Sequence, residues 1–415
     1  MRPATLPLLR CPGCLSGDLV MENDRVHGEF VMEGTVRCRC GHGLPVVEGV
    51  LDLRPGTPDA VVQDGQWWGA FFREQSSIGL DGYLDLAEPV APFLHLGLPE
   101  PFPRSPQGKP ERLANFEAML GPLAAAGGWA LDVGAGAGWA SHFLGRRGFQ
   151  VIAVDPAWEA VALGQREAVR QGLPIDYACG GVAQLALADR SIDLAVALHA
   201  LHHVPGLDSV VGRLFDAVRV GGHIFVDDHH SSSVALASFH AALMAWARQE
   251  IFPNYPTHPV DRSLPASSPN EDVSLGRTLP SLCRYFHVRS VSFRPVFLDT
   301  LPYLFYLKKN RSMEAYALSQ ELTADLGKIL GEAFPWCVEY VTFTGRRGPD
   351  PARCSPPASP APGLPDLAPP GVPTHLRRFR ELVQLQKEIM GACWFKARRH
   401  VERLVERLLS HKTDR

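Results

Sequence analysis

Trp129-Ala-Leu-Asp-Val-Gly-Ala-Gly-Ala-Gly-Trp139 decides the fold. The apolar run Trp129 to Val133 predicts a strand with an acid, Asp132, near its end. Gly134, Gly136 and Gly138 predict a turn, and Ala140 to Arg147 a helix. Glycine suits a turn whose backbone must take positive φ or pass close to a ligand. At the carboxyl end of the first parallel strand of an open α/β sheet, such a turn is where nucleotides bind. Val151-Ile-Ala-Val-Asp155 reads as the next buried strand. Its carboxylate lies about 20 residues past the turn, where ribose hydroxyls would be held.

Two cofactors suit this layout. A dinucleotide fingerprint reads G-x-G-x-x-G, whereas here the third glycine comes one position early. S-adenosylmethionine (SAM) carries a sulfonium and an ammonium but no phosphate, and Asp132 suits a cation. Asp132-Val-Gly-Ala-Gly-Ala-Gly138 resembles the first motif of class I SAM-dependent methyltransferases, and Val154-Asp155 the second. Further along, Asp189-Arg-Ser-Ile-Asp-Leu-Ala-Val-Ala-Leu-His-Ala-Leu-His-His-Val204 resembles the family's fourth-strand block, D-G-S-F-D-L-V-V-x-x-x-x-L-H-H-V. Arg219-Val-Gly-Gly-His-Ile-Phe-Val-Asp227 resembles its fifth strand and preceding turn. The resemblance covers residues 128 to 230, in family order. It implies an α/β fold with a Rossmann-like seven-stranded methyltransferase sheet. It implies cofactor contacts from Asp132, Gly134, Gly136, Gly138, Asp155, Val182 and Leu198. One position departs from the pattern: the loop after the third strand holds Gly181 where the family often has an acid near the adenine amino group.

Methyl transfer mainly needs alignment and exclusion of water, and a hydroxyl acceptor also needs a base. His202 and His203 follow the fourth strand, and Asp227, Asp228, His229 and His230 the fifth. By resemblance to natural-product sugar O-methyltransferases, His203 or His202 is the expected base and Asp228 its orienting partner. Packing near SAM is the alternative role for either histidine. Asp227 to His230 could also be read as a divalent-metal cluster, but adjacent side chains on a strand point to opposite faces, so at most two would converge unless the strand has already ended. Ser267 to Phe286 resembles a lid of glycan and secondary-metabolite methyltransferases, which points to a small-molecule or glycan acceptor.

The N-terminus carries a second signal. Cys11-Pro-Gly-Cys14 and Cys38-Arg-Cys40 are two thiolate pairs separated by enough chain for a hairpin. Cys11, Cys14, Cys38 and Cys40 can close a tetrahedral, structural Zn2+ site with no position left for catalysis. The second pair is tighter than C-x-x-C, so His42 is a possible substitute ligand. About 50 residues bury little core alone, so metal would supply folding energy. The block Cys40 to Leu53 resembles the zinc-ribbon head of some bacterial methyltransferases.

From these signals the expected domains are a zinc ribbon at 1–55 and a helical cap or cofactor lid at 56–125. The methyltransferase domain follows at 126–348, with a helical insertion about 299–335. A Pro-rich linker at 349–374 leads to a basic amphipathic helix at 375–415. Helix, strand, strand, helix and strand are expected at 158–171, 175–178, 192–198, 207–218 and 222–227. Further on come helix 235–249, a Pro-rich loop 252–272, helix 278–285 and strand 288–293. An antiparallel strand is expected at 338–344. From His375 onward eleven Arg or Lys face five Asp or Glu, in a chain of net charge −3. That helix could be solvated, dock on the enzyme, dimerise or recruit a partner. The acidic remainder disfavours RNA, although a zinc-ribbon head on this fold also resembles ribosomal-RNA guanine methyltransferases. A non-catalytic, methyltransferase-like binding module is the third reading. Clustered cysteines, no apolar run long enough for a membrane span and no signal-peptide core lead to the expectation of a cytoplasmic enzyme.

Overall fold

The structure of the protein, a computed structural model, describes residues 1–76, 116, 120, 127–229, 268–270, 273–274, 276–295 and 338–356. The expected helix 235–249, most of the loop 252–272, the insertion at 299–335, most of the linker and the basic helix 375–415 lie outside the described residues. So does most of the segment 77–126.

The chain begins with a short 3₁₀ helix, Pro3–Leu8, and an antiparallel meander. This comprises β1 (Leu19–His27), β2 (Phe30–Cys38), β3 (Gly43–Val47) and β4 (Val50–Asp52). Helix α1 (Asp59–Ser76) follows. Next come β5 (Gly128–Val133), α2 (Trp139–Gly145), β6 (Phe149–Asp155), α3 (Trp158–Gln171) and β7 (Ile175–Cys179). The remaining elements are β8 (Ile192–Leu198), α4 (Leu207–Ala217), β9 (Val218–His229), α5 (Thr278–Tyr285), β10 (His287–Pro295) and β11 (Val338–Arg346).

All strands join one sheet, in the order β1-β2-β3-β4-β7-β6-β5-β8-β9-β11-β10. From β4 to β9 every neighbouring pair is parallel. The far edge is antiparallel, with β11 between β9 and β10, as expected for the last strand. The seven strands β7-β6-β5-β8-β9-β11-β10 form the expected Rossmann-like unit. Alternation along each strand divides the core into two layers. Leu131, Val133, Ile152 and Val154 face α4 and α5, while Ala130, Val151 and Ala153 face α2 and α3.

The ribbon does not stand apart as a satellite. β4 pairs in parallel with β7, Leu51 opposite Ala178 and Asp52 opposite Cys179. It thereby covers a sheet edge that would otherwise expose unpaired backbone groups. A buried ion pair fastens the same seam: the Arg2 guanidinium reaches Asp176 of β7 at 2.9 Å, and the Thr5 hydroxyl also donates to Asp176. Among the described residues, no helix is long and apolar enough to cross a membrane.

Candidate active site

Because β7, β6, β5, β8 and β9 are parallel, their carboxyl ends share one edge. The glycine turn lies at the end of β5, where connections diverge to β6 on one side and β8 on the other, so a crevice opens there. Gly134 and Gly136 take φ of +67° and +55°, a region costly for side-chain-bearing residues. The Gly136 N–H donates to Asp155 Oδ2 at 2.9 Å, and the Ala157 N–H to Oδ1 at 2.8 Å. Each carboxylate oxygen can accept one further bond, the capacity a ribose diol needs. Burial pushes Asp155 up to about 6, against the pull of those two amides.

Asp132 sits beneath the turn rather than at its mouth. It is buried and accepts the Ser141 hydroxyl at 2.7 Å, which anchors the first turn of α2. Burial raises it to about 6, opposed by Ser141 and reinforced by the Asp155 charge. At Gly138 a methyl group would stand 1.8 Å from the Tyr177 hydroxyl oxygen, so this glycine serves the contact between α2 and β7. Val182 opens a short turn after β7 and packs on one core layer; Leu198 ends β8 and packs on the other.

On the other side of the turn, β8 runs into a 3₁₀ turn, Leu201–His203. His202 Nδ1 lies 2.5 Å from Asp228 Oδ1, and the His202 backbone N–H donates to Oδ2 at 3.1 Å. Asp228 is therefore the partner of His202 and not of His203. The carboxyl is fully buried and is pushed up to about 6, countered by the His229 charge and backbone N–H and by His203. Asp227, one residue back, points to the opposite face and accepts the Thr342 hydroxyl at 2.8 Å across β9 and β11. The expected alternation is thus observed.

Residues 131–226 match the family model described as "Methyltransferase domain". Residues 131–226 are a class I methyltransferase domain. The chain is 32% identical over 129 residues to a ubiquinone biosynthesis O-methyltransferase of Xanthomonas axonopodis pv. citri, covering 31% of this chain and 53% of that protein. It is 38% identical over 98 residues to the protein of that name from Idiomarina loihiensis, covering 23% and 40%. The chain spans about half the length of these curated relatives or less.

Helix α1 reaches the methyltransferase domain from outside the matched segment. It runs across the strand ends, with Val61 beside Gly181, Gly65 against Pro156 and Phe72 over Gly136. Its buried Asp64 stands 4.0 Å from His203 Nδ1, and the Ser268 hydroxyl donates to the same carboxylate. One helical turn on, Trp68 meets the His203 ring edge to face, centroids 5.6 Å apart. Helix α1 falls in the segment expected as a helical cap or cofactor lid, but Asp64 is not singled out by the sequence. No local pattern marks an acid more than a hundred residues from its partner. His199 was also missed; it holds φ of +53° and lies 3.6 Å from Asp227 through Nε2.

At the ribbon, the ligand atoms of Cys11, Cys14, Cys38 and Cys40 all lie within 4.8 Å of one another. Cys11 and Cys40 sulfurs are 3.6 Å apart, and those of Cys14 and Cys38 are 3.5 Å apart. Zinc–sulfur bonds of about 2.3 Å in a tetrahedron put sulfurs about 3.8 Å apart, so the donor set fits zinc. The backbone N–H of His42 holds the Cys40 thiol down, to about 7. His42 is not part of the group, and among the described residues no other such cluster occurs.

Proposed function

We propose that this chain is a SAM-dependent O-methyltransferase whose acceptor is a hydroxyl of a small molecule or sugar-containing metabolite. The buried His202–Asp228 pair carries the reading, because it lies across the glycine turn from Asp155. When bound, SAM supplies an activated methyl group on its sulfonium. Asp155 is the residue to hold the ribose hydroxyls, and the backbone at Gly134 and Gly136 lets the cofactor lie close.

The Asp228 carboxylate accepts a hydrogen bond from His202 Nδ1–H, which leaves Nε2 as the basic nitrogen of the neutral ring. As Nε2 removes the hydroxyl proton, the Asp228 charge stabilises the imidazolium, a preorganised interaction that needs no solvent rearrangement. Trp68, Phe72 and the rest of α1 exclude water from the strand ends. The relatives named O-methyltransferase support an oxygen acceptor. We further propose that the four cysteines hold a structural zinc. The ribbon arginines Arg25, Arg37 and Arg39 each face a carboxylate, of Glu33, Glu22 and Asp18. That neutralisation weighs against an RNA grip, which needs unspent positive charge.

The test is transfer of labelled methyl from SAM to panels of phenols, catechols and sugars, with amines and ribosomal RNA as contrasts. Transfer to hydroxyls is expected, and His202→Ala should lower kcat about 10²- to 10⁴-fold with cofactor affinity unchanged. Asp228 ionises near pH 6 and His202 must be neutral, so the wild-type rate should rise as pH increases through about 6. Transfer only to RNA or amines, or full activity in His202→Ala, would overturn the reading.

A further inference from the structure

The turn that carries His202 holds a second carboxylate–histidine pair, and its acid comes from outside the methyltransferase sheet. His203 follows His202 in the same 3₁₀ turn, and the two ring centroids lie 4.1 Å apart. Asp228 backs His202 from the core. Asp64 of α1 faces His203 from the cap, with its Oδ1 4.0 Å from Nδ1. The His203 side chain is 13% exposed and that of His202 3%. A molecule entering the crevice therefore meets His203 first.

Burying a carboxylate is costly unless hydrogen bonds or an opposite charge offset it. Burial pushes the Asp64 carboxyl up, and the Ser268 hydroxyl and the Asn270 backbone N–H oppose that push by donating to it. The segment that supplies these donors is tied to the same place three times more. The Asn270 carboxamide donates to the Ala60 carbonyl at 3.3 Å. Ser274 donates its N–H to the His202 carbonyl at 2.9 Å and its hydroxyl to the Val204 carbonyl at 2.6 Å. Helix α1, the histidine turn and residues 268–274 thus meet through polar contacts centred on Asp64.

Two glycines set how deeply α1 docks. A Cβ at Gly65 would stand 2.2 Å from the Pro156 carbonyl oxygen, and one at Gly69 2.0 Å from a Glu159 carboxylate oxygen. The helix backbone can therefore lie directly on the loop that follows Asp155, which brings Asp64 to its distance from His203. Contacts of this kind are often long in a free enzyme and tighten when substrate binds.

A neutral imidazole in water prefers its proton on Nε2. A carboxylate facing Nδ1 favours the other tautomer and leaves Nε2 as the acceptor.

We propose that Asp64 is a positioning residue that holds the His203 proton on Nδ1, so that docking of α1 makes His203 Nε2 a second acceptor for the substrate hydroxyl beside His202. This rests on the O-methyltransferase reading above, but its test needs neither acceptor nor cofactor, so the two can fail separately. The test is NMR of the full chain with nitrogen-labelled histidine rings, at a pH where the rings are neutral. Loss of signals in His203→Gln identifies those of His203. Wild type is expected to show His203 protonated on Nδ1. Asp64→Asn keeps the shape and an acceptor for Ser268 but removes the charge, so the ratio of Nδ1–H to Nε2–H should fall about tenfold. A carboxylate that only anchors 268–270 would leave that ratio unchanged in Asp64→Asn, and this result overturns the proposal. A wild-type ring protonated on Nε2 overturns it as well. Should Asp64→Asn fail to fold, Asp64→Glu decides, because its carboxylate reaches one bond further. A downfield Nδ1 proton in that variant shows a direct bond and supports the assignment; its absence overturns it. Titration of wild type with S-adenosylhomocysteine tests the cofactor reading on its own.

Discussion

The two halves of the sheet are held by different physics. In the parallel half, β5 to β8 carry inward residues such as Ala130, Val151, Leu194 and Val196 that are wholly buried between helices. In the ribbon, β1 is exposed along most of its length, and Val20 and Val26 stand more than half exposed. The first half stabilises itself by removing apolar area from water. The second buries Val31, Val36, Val46 and Leu51 on one side of its meander only; on the proposed zinc reading its far end is closed by four thiols, and its near end by the β4–β7 seam with Arg2–Asp176. An added domain can therefore join a host sheet through one short strand, provided something else closes its free end.

Metal removal attacks this contrast hardest. Structural zinc contributes about 10 kcal/mol or more in isolated fingers. A chelator, or Cys11→Ser with Cys40→Ser, should therefore melt β1 to β3 while the parallel half persists. Hydrogen exchange resolved along the chain reads this directly; protection of the ribbon unchanged by chelation would break the comparison. Next in size is a core deletion. Phe149→Ala, at a fully buried position in β6, should cost about 3–5 kcal/mol in urea unfolding.

A third prediction concerns pH. Burial pushes the Asp132 carboxyl up from the usual 3.8 to about 6 in the folded protein. A raised carboxyl pKa means the native state binds the proton more tightly. Wild-type stability from this group is therefore full below about pH 4 and falls as pH rises towards 6 and above. Asp132→Asn removes that loss and can still accept the Ser141 hydroxyl. The variant should gain about 1–3 kcal/mol over wild type between pH 4 and pH 7, measured without ligand. An unchanged difference across that range would show that burial does not set this carboxyl. The smallest effect should come from the ribbon edge: Val20→Ala is expected to change stability by less than about 0.5 kcal/mol, which sharpens the contrast with Phe149.

Local signals carried the parallel half. The glycines 134, 136 and 138, the apolar runs of β5 to β8 and the alternation of β11 are short-range patterns, and each element lies where its pattern placed it. Boundaries moved where tertiary contacts intervened. β9 runs on to His229, beyond the expected 227, because β11 pairs with it as far as Tyr340. Long-range pairings were not legible. Nothing in Leu-His-His-Val distinguishes His202 from His203; the choice is made by Asp228 on the neighbouring strand and Asp64 on α1. Gly181 looked like a missing acid, and only the turn geometry shows the Gln184 carboxamide in that space. The cysteine spacing pointed to the cluster of four thiols but not to the attachment of its meander to β7, since β4 is three residues long and has no period to read.

On the proposed reading, the carboxyl ends of the parallel strands form an adenosyl-cofactor site with Asp155 as its ribose anchor. Calorimetric titration of wild type and Asp155→Ala with S-adenosylhomocysteine, with NAD as the competing ligand, tests it most directly. Micromolar binding of S-adenosylhomocysteine, lost in Asp155→Ala, is expected, with no binding of NAD. Binding of NAD in its place, or S-adenosylhomocysteine affinity unchanged in Asp155→Ala, would contradict it.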